Sequence, residues 1–262
     1  MNLSISNIAW DQRYDDLVYA GMKALGYSGI EIAPTKIFGA DAYAHFSEAS
    51  QWSTDLMNNY GLSVSSMQSI WFGRNESLFG TPEERTELIE YTKKAIIFAQ
   101  NIKCRNLVFG CPKNRNIPIC ESSEIAVDFF KELGDFAYQH DTVLALEANP
   151  TIYNTNFINT TPEALNLIDL VDSEGFLLNL DVGTMIENNE DLSILNDHSH
   201  VINHVHISEP YLAPVLQRPI HQDLASFLRA HDYHGYVSIE TKTNDNIDEI
   251  IRMMEYLTEV FS

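Results

Sequence analysis

The sequence predicts a single α/β domain, a (β/α)8 barrel, and three observations carry that expectation. Eight short strand-like runs alternate with eight helical patterns over 262 residues, a normal length for one such barrel. The runs close at fairly even intervals, near Ile8, Ala33, Gln68, Phe109, Glu147, Asp181, Ile207 and Glu240, as a regular strand–helix repeat requires. The run VLAL before Glu147 is continuously apolar, which is how a parallel strand covered on both faces reads. A doubly wound open sheet is the rival, but a dinucleotide-binding version would want GxGxxG after its first strand, and none is there. No linker or low-complexity segment divides residues 1–262.

The elements follow in order. Residues 3–9 (LSISNIA) alternate as a first strand. Residues 15–25 place Leu17, Val18, Met22 and Leu25 at helical spacing, and Gly26 stops them. Residues 28–33 form the second strand, closed by Pro34. A helix over 42–60 ends at Gly61, and residues 62–68 form the third strand. Thr81-Pro82-Glu83-Glu84 starts a helix running to about Asn101, with a cap, a first-position proline and first-turn acids. Residues 105–109 are the fourth strand, 121–140 a helix, and 143–147 the fifth strand. Thr161-Pro162-Glu163 opens the next helix by the same cap logic. Residues 176–181 and 201–207 are strands six and seven, with a short helical piece at 192–198 between them. A helix over 221–230, an eighth strand over 236–240 and a helix over 247–260 complete the chain.

Composition excludes several classes. Lys plus Arg number 16 against 37 Asp plus Glu, a net charge of −21, which repels nucleic-acid phosphate and anionic membrane surfaces. Neither partner is expected. No apolar stretch approaches the roughly 20 residues of a membrane span. The start carries no signal-like pattern, so a cytoplasmic location is the expectation. Cys104, Cys111 and Cys120 form no CxxC pair and read as reduced thiols.

The chemistry concentrates at strand ends. In (β/α)8 barrels catalytic groups sit at the C-terminal ends of strands. Glu147, Asp181, His206 and Glu240 end strands five to eight, and a buried carboxylate is costly without a partner. Three carboxylates and one imidazole suit one hard divalent ion, Mn, Mg, Co or Zn, better than a structural zinc site. Singly, each has a plainer reading: Asp181 as a helix cap, His206 as a core histidine, the glutamates as partners of buried bases. His231 and His234 fall in a loop at the opposite, N-terminal end.

The segments GYSGIEIAP, LVFGCPKNR, LALEANP, LLNLDVGT, HVHISE and GYVSIE resemble the xylose isomerase-like barrels, specifically the sugar phosphate isomerase/epimerase group, over essentially the whole chain. The resemblance implies one divalent metal, manganese among the choices, held by Glu147, Asp181, His206 and Glu240. It also implies that Glu147 and Glu240 act as catalytic acid and base on opposite faces of a small sugar or sugar phosphate. A homo-oligomer is compatible with it. Many relatives carry His where this chain has Thr184 in DVGT, so substrate specificity does not transfer.

Further pocket expectations are Glu209, Asn149, His221, Trp10 and Arg218 as substrate-binding residues. Trp71 and Phe72 could form an apolar wall, Glu31 could support the site from behind, and Lys113 or Arg115 could hold a phosphate. Each has a plainer alternative as core or solvated surface. The expected activity is a metal-dependent isomerase or epimerase working through an enediolate. The alternatives are a dehydratase (lyase) of a keto-sugar or inosose-like polyol and a non-catalytic sugar-binding barrel. An endonuclease-type phosphodiesterase would need more histidines after strands two and three.

Overall fold

The computed structural model describes residues 1–119 and 121–262. Eight parallel strands form one sheet: β1 (Asn2–Ile5), β2 (Gly29–Ile32), β3 (Ser63–Met67), β4 (Leu107–Phe109), β5 (Leu144–Leu146), β6 (Phe176–Asp181), β7 (Ile202–Ile207) and β8 (Tyr236–Ile239). Their spatial order is β1-β8-β7-β6-β5-β4-β3-β2. β1 pairs with β8 from Asn2↔Tyr236 to Ile5↔Ile239, and a bridge between Ser6 and Glu31 brings the β1 and β2 edges together. The sheet is therefore a nearly closed (β/α)8 barrel, as the alternation predicted.

The helices are α1 (Asp15–Ala24), α2 (Pro34–Phe38), α3 (Phe46–Tyr60), α4 (Pro82–Asn101), α5 (Glu124–Gln139), α6 (Thr161–Val171), α7 (Val182–Asn188), α8 (Pro219–Ala230) and α9 (Ile247–Phe261). The α4 start is a full capping box: Thr81 Oγ1 accepts from Glu84 N, and Thr81 N donates to Glu84 Oε2, two orphan donors satisfied at once. The α6 box uses Thr160, one residue earlier than expected.

Four other details depart from the sequence reading. β1 ends at Ile5, and Asn7–Ala9 turns as a 3-10 helix, fixed by the Asn7 carboxamide accepting from Ala33 N. Pro34 starts the short α2 rather than only closing β2, using its preset φ at the first helical position. The helix expected over 42–60 breaks at His45. The helix after β6 begins directly at Val182, while 192–198 carries only a 3-10 turn at Leu192–Leu195.

Strand alternation sorts the interior into two environments. Residues facing the helices are apolar and buried, among them Ile5, Ile30, Phe109, Leu146, Leu178, Val205 and Ile239. Phe130 stacks on Phe176 at 4.7 Å and meets Phe109 edge-on at 4.9 Å in this layer. The positions between them point into the lumen and are polar: Ser4, Glu31, Asn179, His204, His206 and Ser238, all buried. The apolar mass that stabilises the fold thus lies outside the barrel, and the lumen is left for chemistry. Cys104 and Cys111 are free thiols, each pushed up to about 12 by burial; Cys120 lies outside the described residues.

Candidate active site and metal centre

The β5, β7 and β8 ends bring Glu147, His206 and Glu240 together, with ligating atoms all within 4.8 Å of one another. His206 is the hub. Its Nδ1 lies 2.9 Å from Glu147 Oε1 and 3.3 Å from Glu240 Oε2. Its Nε2 lies 2.8 Å from Glu31 Oε2. A carboxylate behind an imidazole fixes the ring orientation and the tautomer, and leaves the other nitrogen free for a cation. Glu31 is fully buried and also accepts from Gln68 Nε2 at 2.9 Å. A second cluster, Glu31 with His204 and His206, shares the same ring from below.

Glu147 is held from two sides. Asn179 Nδ2 donates to its Oε1 at 2.7 Å and Asn149 Nδ2 to its Oε2 at 3.0 Å. Asn149 is itself set by Arg115, whose guanidinium also donates to the Glu147 and Ile158 carbonyls. Arg115 is fully buried; it is a scaffold under the β5 end, not a surface phosphate holder. Gly110 leaves the space for Glu147, because a Cβ there would lie 2.8 Å from Glu147 Oε2.

Asp181 lines the same cavity but is used as the cap of α7. Its carboxylate accepts from Gly183 N, Thr184 N, Thr184 Oγ1 and Ser208 Oγ. The plain reading of this residue, a helix cap, is what its contacts show; its oxygens are not among the clustered ligand atoms of Glu147, His206 and Glu240. Thr184 is buried and its hydroxyl also bonds the Ala148 carbonyl at 2.8 Å, so it positions Asp181 instead of reaching into the cavity.

The electrostatics record the crowding of acids. Burial, with repulsion from Glu147, pushes Asp181 up to about 6. Burial, partly offset by His206, pushes Glu240 up to about 7. His206 is held well above its usual range: burial opposes its charge, but Glu31 and Glu240 outweigh burial. Glu31 is held well below the carboxylate range, its burial overcome by His206 and by bonds from both imidazoles.

Glu147, Asp181 and Glu240 form one end of a cavity of about 400 Å³ that runs toward the loops after β3 and β4, past Trp71, Phe72, Arg74 and Lys113, with His206 and Glu31 buried behind them. Of the five residues expected to touch substrate, Asn149 lines this cavity and the other four do not. Trp10 is fully buried and bonds Asp15 at 2.7 Å. Glu209 and Arg218 bind each other, with Nε and Nη2 at 2.7 and 2.6 Å from the two carboxylate oxygens. His221 is buried against the Tyr256 hydroxyl at 2.9 Å. Trp71 and Phe72 do form wall, and Tyr153 and Leu212 join it unforeseen. The sequence reading also missed Asn179 and His204. Their signal was present, since each stands two residues before a strand-end group and so shares its lumen face.

A family model described as xylose isomerase-like TIM barrel matches residues 20–259. No curated protein matched the sequence. Among solved structures, the 3-keto-D-glucoside 4-epimerase YcjR from E. coli superposes with a TM-score of 0.80 at 19% identity, covering 99% of each chain. D-psicose 3-epimerase from Clostridium cellulolyticum H10 gives 0.79 at 14% identity over 100% of both chains. An AP endonuclease, family 2, from Brucella melitensis gives 0.75 at 18% identity, covering 98% of this chain and 99% of that one. Among the described residues no helix is long and apolar enough to cross a membrane. With the family model matched over most of its length, this chain belongs to the xylose isomerase-like TIM barrel family.

Proposed function

We propose that the protein is a divalent-metal-dependent sugar or sugar phosphate isomerase/epimerase, with Glu147, Asp181, His206 and Glu240 as metal ligands. The observation that carries this reading is the His206 ring, gripped at Nε2 by Glu31 and turned with Nδ1 toward Glu147 and Glu240 at one end of the cavity. The residues fit a cation chemically. Four buried carboxylates, Glu31, Glu147, Asp181 and Glu240, stand against two imidazoles, His204 and His206, and such an excess of buried negative charge is costly until neutralised. Bound there, a divalent ion such as manganese supplies Lewis-acid stabilisation of negative charge developing on a carbonyl oxygen.

The protein's own steps follow from the two glutamates. One carboxylate accepts a proton from the carbon beside the substrate carbonyl, and the C–H electron pair moves toward oxygen to give an enediolate. The other, as a carboxylic acid, returns a proton to the opposite face of that carbon, which inverts it. Return to the adjacent carbon instead interconverts aldose and ketose. Both outcomes conserve mass. Positioned acid–base groups of this kind contribute about 10²–10⁴-fold. Asn179 and Asn149 hold Glu147 in place, as a general base must be held. The epimerase neighbours, YcjR and D-psicose 3-epimerase, support the same reaction class. A phosphodiesterase reading, suggested by the endonuclease neighbour, would need further histidines after strands two and three, and none of the described residues there that line the cavity is a histidine.

The test is a panel of keto-sugars, their phosphates and 3-keto-glucosides, incubated with manganese-loaded protein in D2O and read by NMR. Deuterium entering beside the carbonyl, with mass otherwise unchanged and with loss of exchange in Glu147→Gln and Glu240→Gln, is the expected result. Loss of water from the product would assign a dehydratase. Absence of metal binding by the wild type would remove the enediolate mechanism and leave a sugar-binding barrel.

A further inference from the structure

A second cavity, of about 340 Å³, opens at the N-terminal end of the barrel, opposite the acidic site. This end of such barrels is normally filled by layers of bulky branched side chains. Here the strands place small or polar residues toward the lumen instead: Ser4, Gly29, Ser65, Asn106, His204 and Ser238. Gly29 is needed, because a Cβ there would run into the Tyr236 ring, which reaches across to bond Ser63 Oγ at 2.9 Å. The result is a pit at the opposite end from the acidic site, where hydroxyls and amides share the lining with Val64 and the Tyr236 ring.

Its charge is the reverse of the protein's. The chain carries 37 acidic residues against 16 Lys and Arg, yet no carboxylate among the described residues lines this cavity, while Lys103 and Arg105 do; the two histidines of the lining face acids behind it, His204 facing Glu31 and His234 facing Asp232. Lys103 and Arg105 are exposed at the mouth, and neither makes an ion pair or side-chain hydrogen bond among the described residues. The other cations of the cavity loops above are occupied by comparison: Arg74 pairs with Glu76 and Glu87, and Lys113 bonds Asn75. At depth, His204 is 1% exposed, and its Nε2 faces the Glu31 carboxylate at 3.4 Å. The amide of Asn203 spans the wall to Asn106 Oδ1 at 2.6 Å. Two unpaired cations at the mouth, Lys103 and Arg105, above the Ser63 and Ser65 hydroxyls and the Asn106 and Asn203 amides are a donor set that recognises an oxyanion, and low-dielectric walls focus its field.

We propose that this cavity is a second binding site, specific for a phosphate group carried by a small metabolite. Arg105 and Lys103 hold the phosphate at the mouth, and the hydroxyl- and amide-lined interior accepts the organic portion. The volume exceeds that of phosphate alone, so a monoester fits it better than the free ion. The assignment rests on this end of the barrel only and is independent of the reaction at the other end.

Calorimetric titration of the full-length protein at low ionic strength tests it, with inorganic phosphate and then glycerol 3-phosphate as probes. One site per chain is expected, weakened at least about tenfold in Lys103→Gln/Arg105→Gln and unchanged in Lys113→Gln. Metal content, measured in parallel, is expected to be the same in all three proteins, since both cations lie at the far end from the metal ligands. Tighter binding of the ester than of phosphate identifies a metabolite as the occupant; equal binding identifies free phosphate. No heat and no ³¹P line broadening with either probe would overturn the proposal. So would binding retained in the double variant but lost in Lys113→Gln, which would place the anion at the catalytic mouth.

Discussion

Replacing Glu31 by Gln tests the proposed site at a buried group that does not line the cavity. Glu31 is fully buried and touches His206 Nε2 at 2.8 Å. Gln keeps the shape, and the amide oxygen could still accept one bond. Two donors compete for it, however, because Gln68 Nε2 lies 2.9 Å from the other carboxylate oxygen. A Gln that satisfies His206 therefore turns its NH2 toward the Gln68 donor, and one that satisfies Gln68 turns its NH2 toward the imidazole. Loss of the negative charge also lowers the basicity of Nδ1, the nitrogen that faces Glu147 and Glu240. Carboxylate partners behind a ligating histidine typically contribute 10–100-fold in metal affinity, or about 1.4–2.7 kcal/mol.

Manganese affinity measured by calorimetry, or by the loss of the free-ion EPR signal, is the assay. The expected result is a Kd raised by about 10–100-fold, with turnover largely restored at saturating metal because Glu147 and Glu240 are untouched. This split separates ring positioning from general damage, which saturating metal would not repair. A manganese affinity within about twofold of wild type, in a protein shown to fold, would refute the argument that Glu31 orients His206 for a cation.

Three other outcomes follow from the same geometry. Gly110→Ala puts a methyl group 2.8 Å from Glu147 Oε2, so proton exchange is expected to fall at least about tenfold while far-UV circular dichroism stays unchanged. Arg115→Met removes a fully buried guanidinium that donates to three oxygen acceptors, and leaving such acceptors unpaired costs about 1–3 kcal/mol each; denaturant unfolding is expected to show a loss of about 3 kcal/mol or more. Asp181 and Glu240 are raised to about 6 and about 7, so the folded protein retains their protons where the unfolded chain has lost them. Their ionisation therefore lowers apo stability as pH rises from about 4 to about 7, and metal binding must displace those protons. Manganese affinity is accordingly expected to rise at least tenfold between about pH 5 and pH 8, and a flat profile in calorimetry would remove both groups from the ligand set.

The four strand-end residues were legible because two periodicities coincide. Alternation fixes which residues face the lumen, and the strand–helix repeat fixes which end they occupy. The same two rules reach Glu31, Asn179 and His204, all on lumen faces of their strands. Loop residues obey neither rule, and there the reading failed. Glu209 lies beside the strand-end set in sequence, but Arg218 nine residues later folds back and takes both of its oxygens. His221 stands near a loop that opens toward the site, yet the first turn of α8 points it at Tyr256 in α9. Trp10 reads as the end of the first strand, but it follows the Asn7–Ala9 3-10 turn, which places it in the core, where it meets Tyr19 edge-on at 6.3 Å. A loop side chain's direction is set by a few φ/ψ values and by distant partners, neither of which leaves a period in the sequence.

The lumen positions also explain how one barrel carries opposite charge at its two ends. Along β8 the inward residues are Tyr236, Ser238 and Glu240; along β7 they include His204 and His206; along β6, Asn179 and Asp181. Read from the N-terminal end upward, neutral donors give way to carboxylates. Glu147 is reached from an inward neighbour by Asn179, and Glu31 by Gln68 and His206, while Asp181 takes its donors from Gly183, Thr184 and Ser208 beyond the strand ends. Buried acids are tolerable in this arrangement because donors lie beside and beneath them. Since the apolar contacts that stabilise the fold lie on the outward faces, changes at lumen positions act mainly on chemistry, with little effect on the packing between sheet and helices. That separation is what would let the proposed cation site and the proposed oxyanion site share the same eight strands.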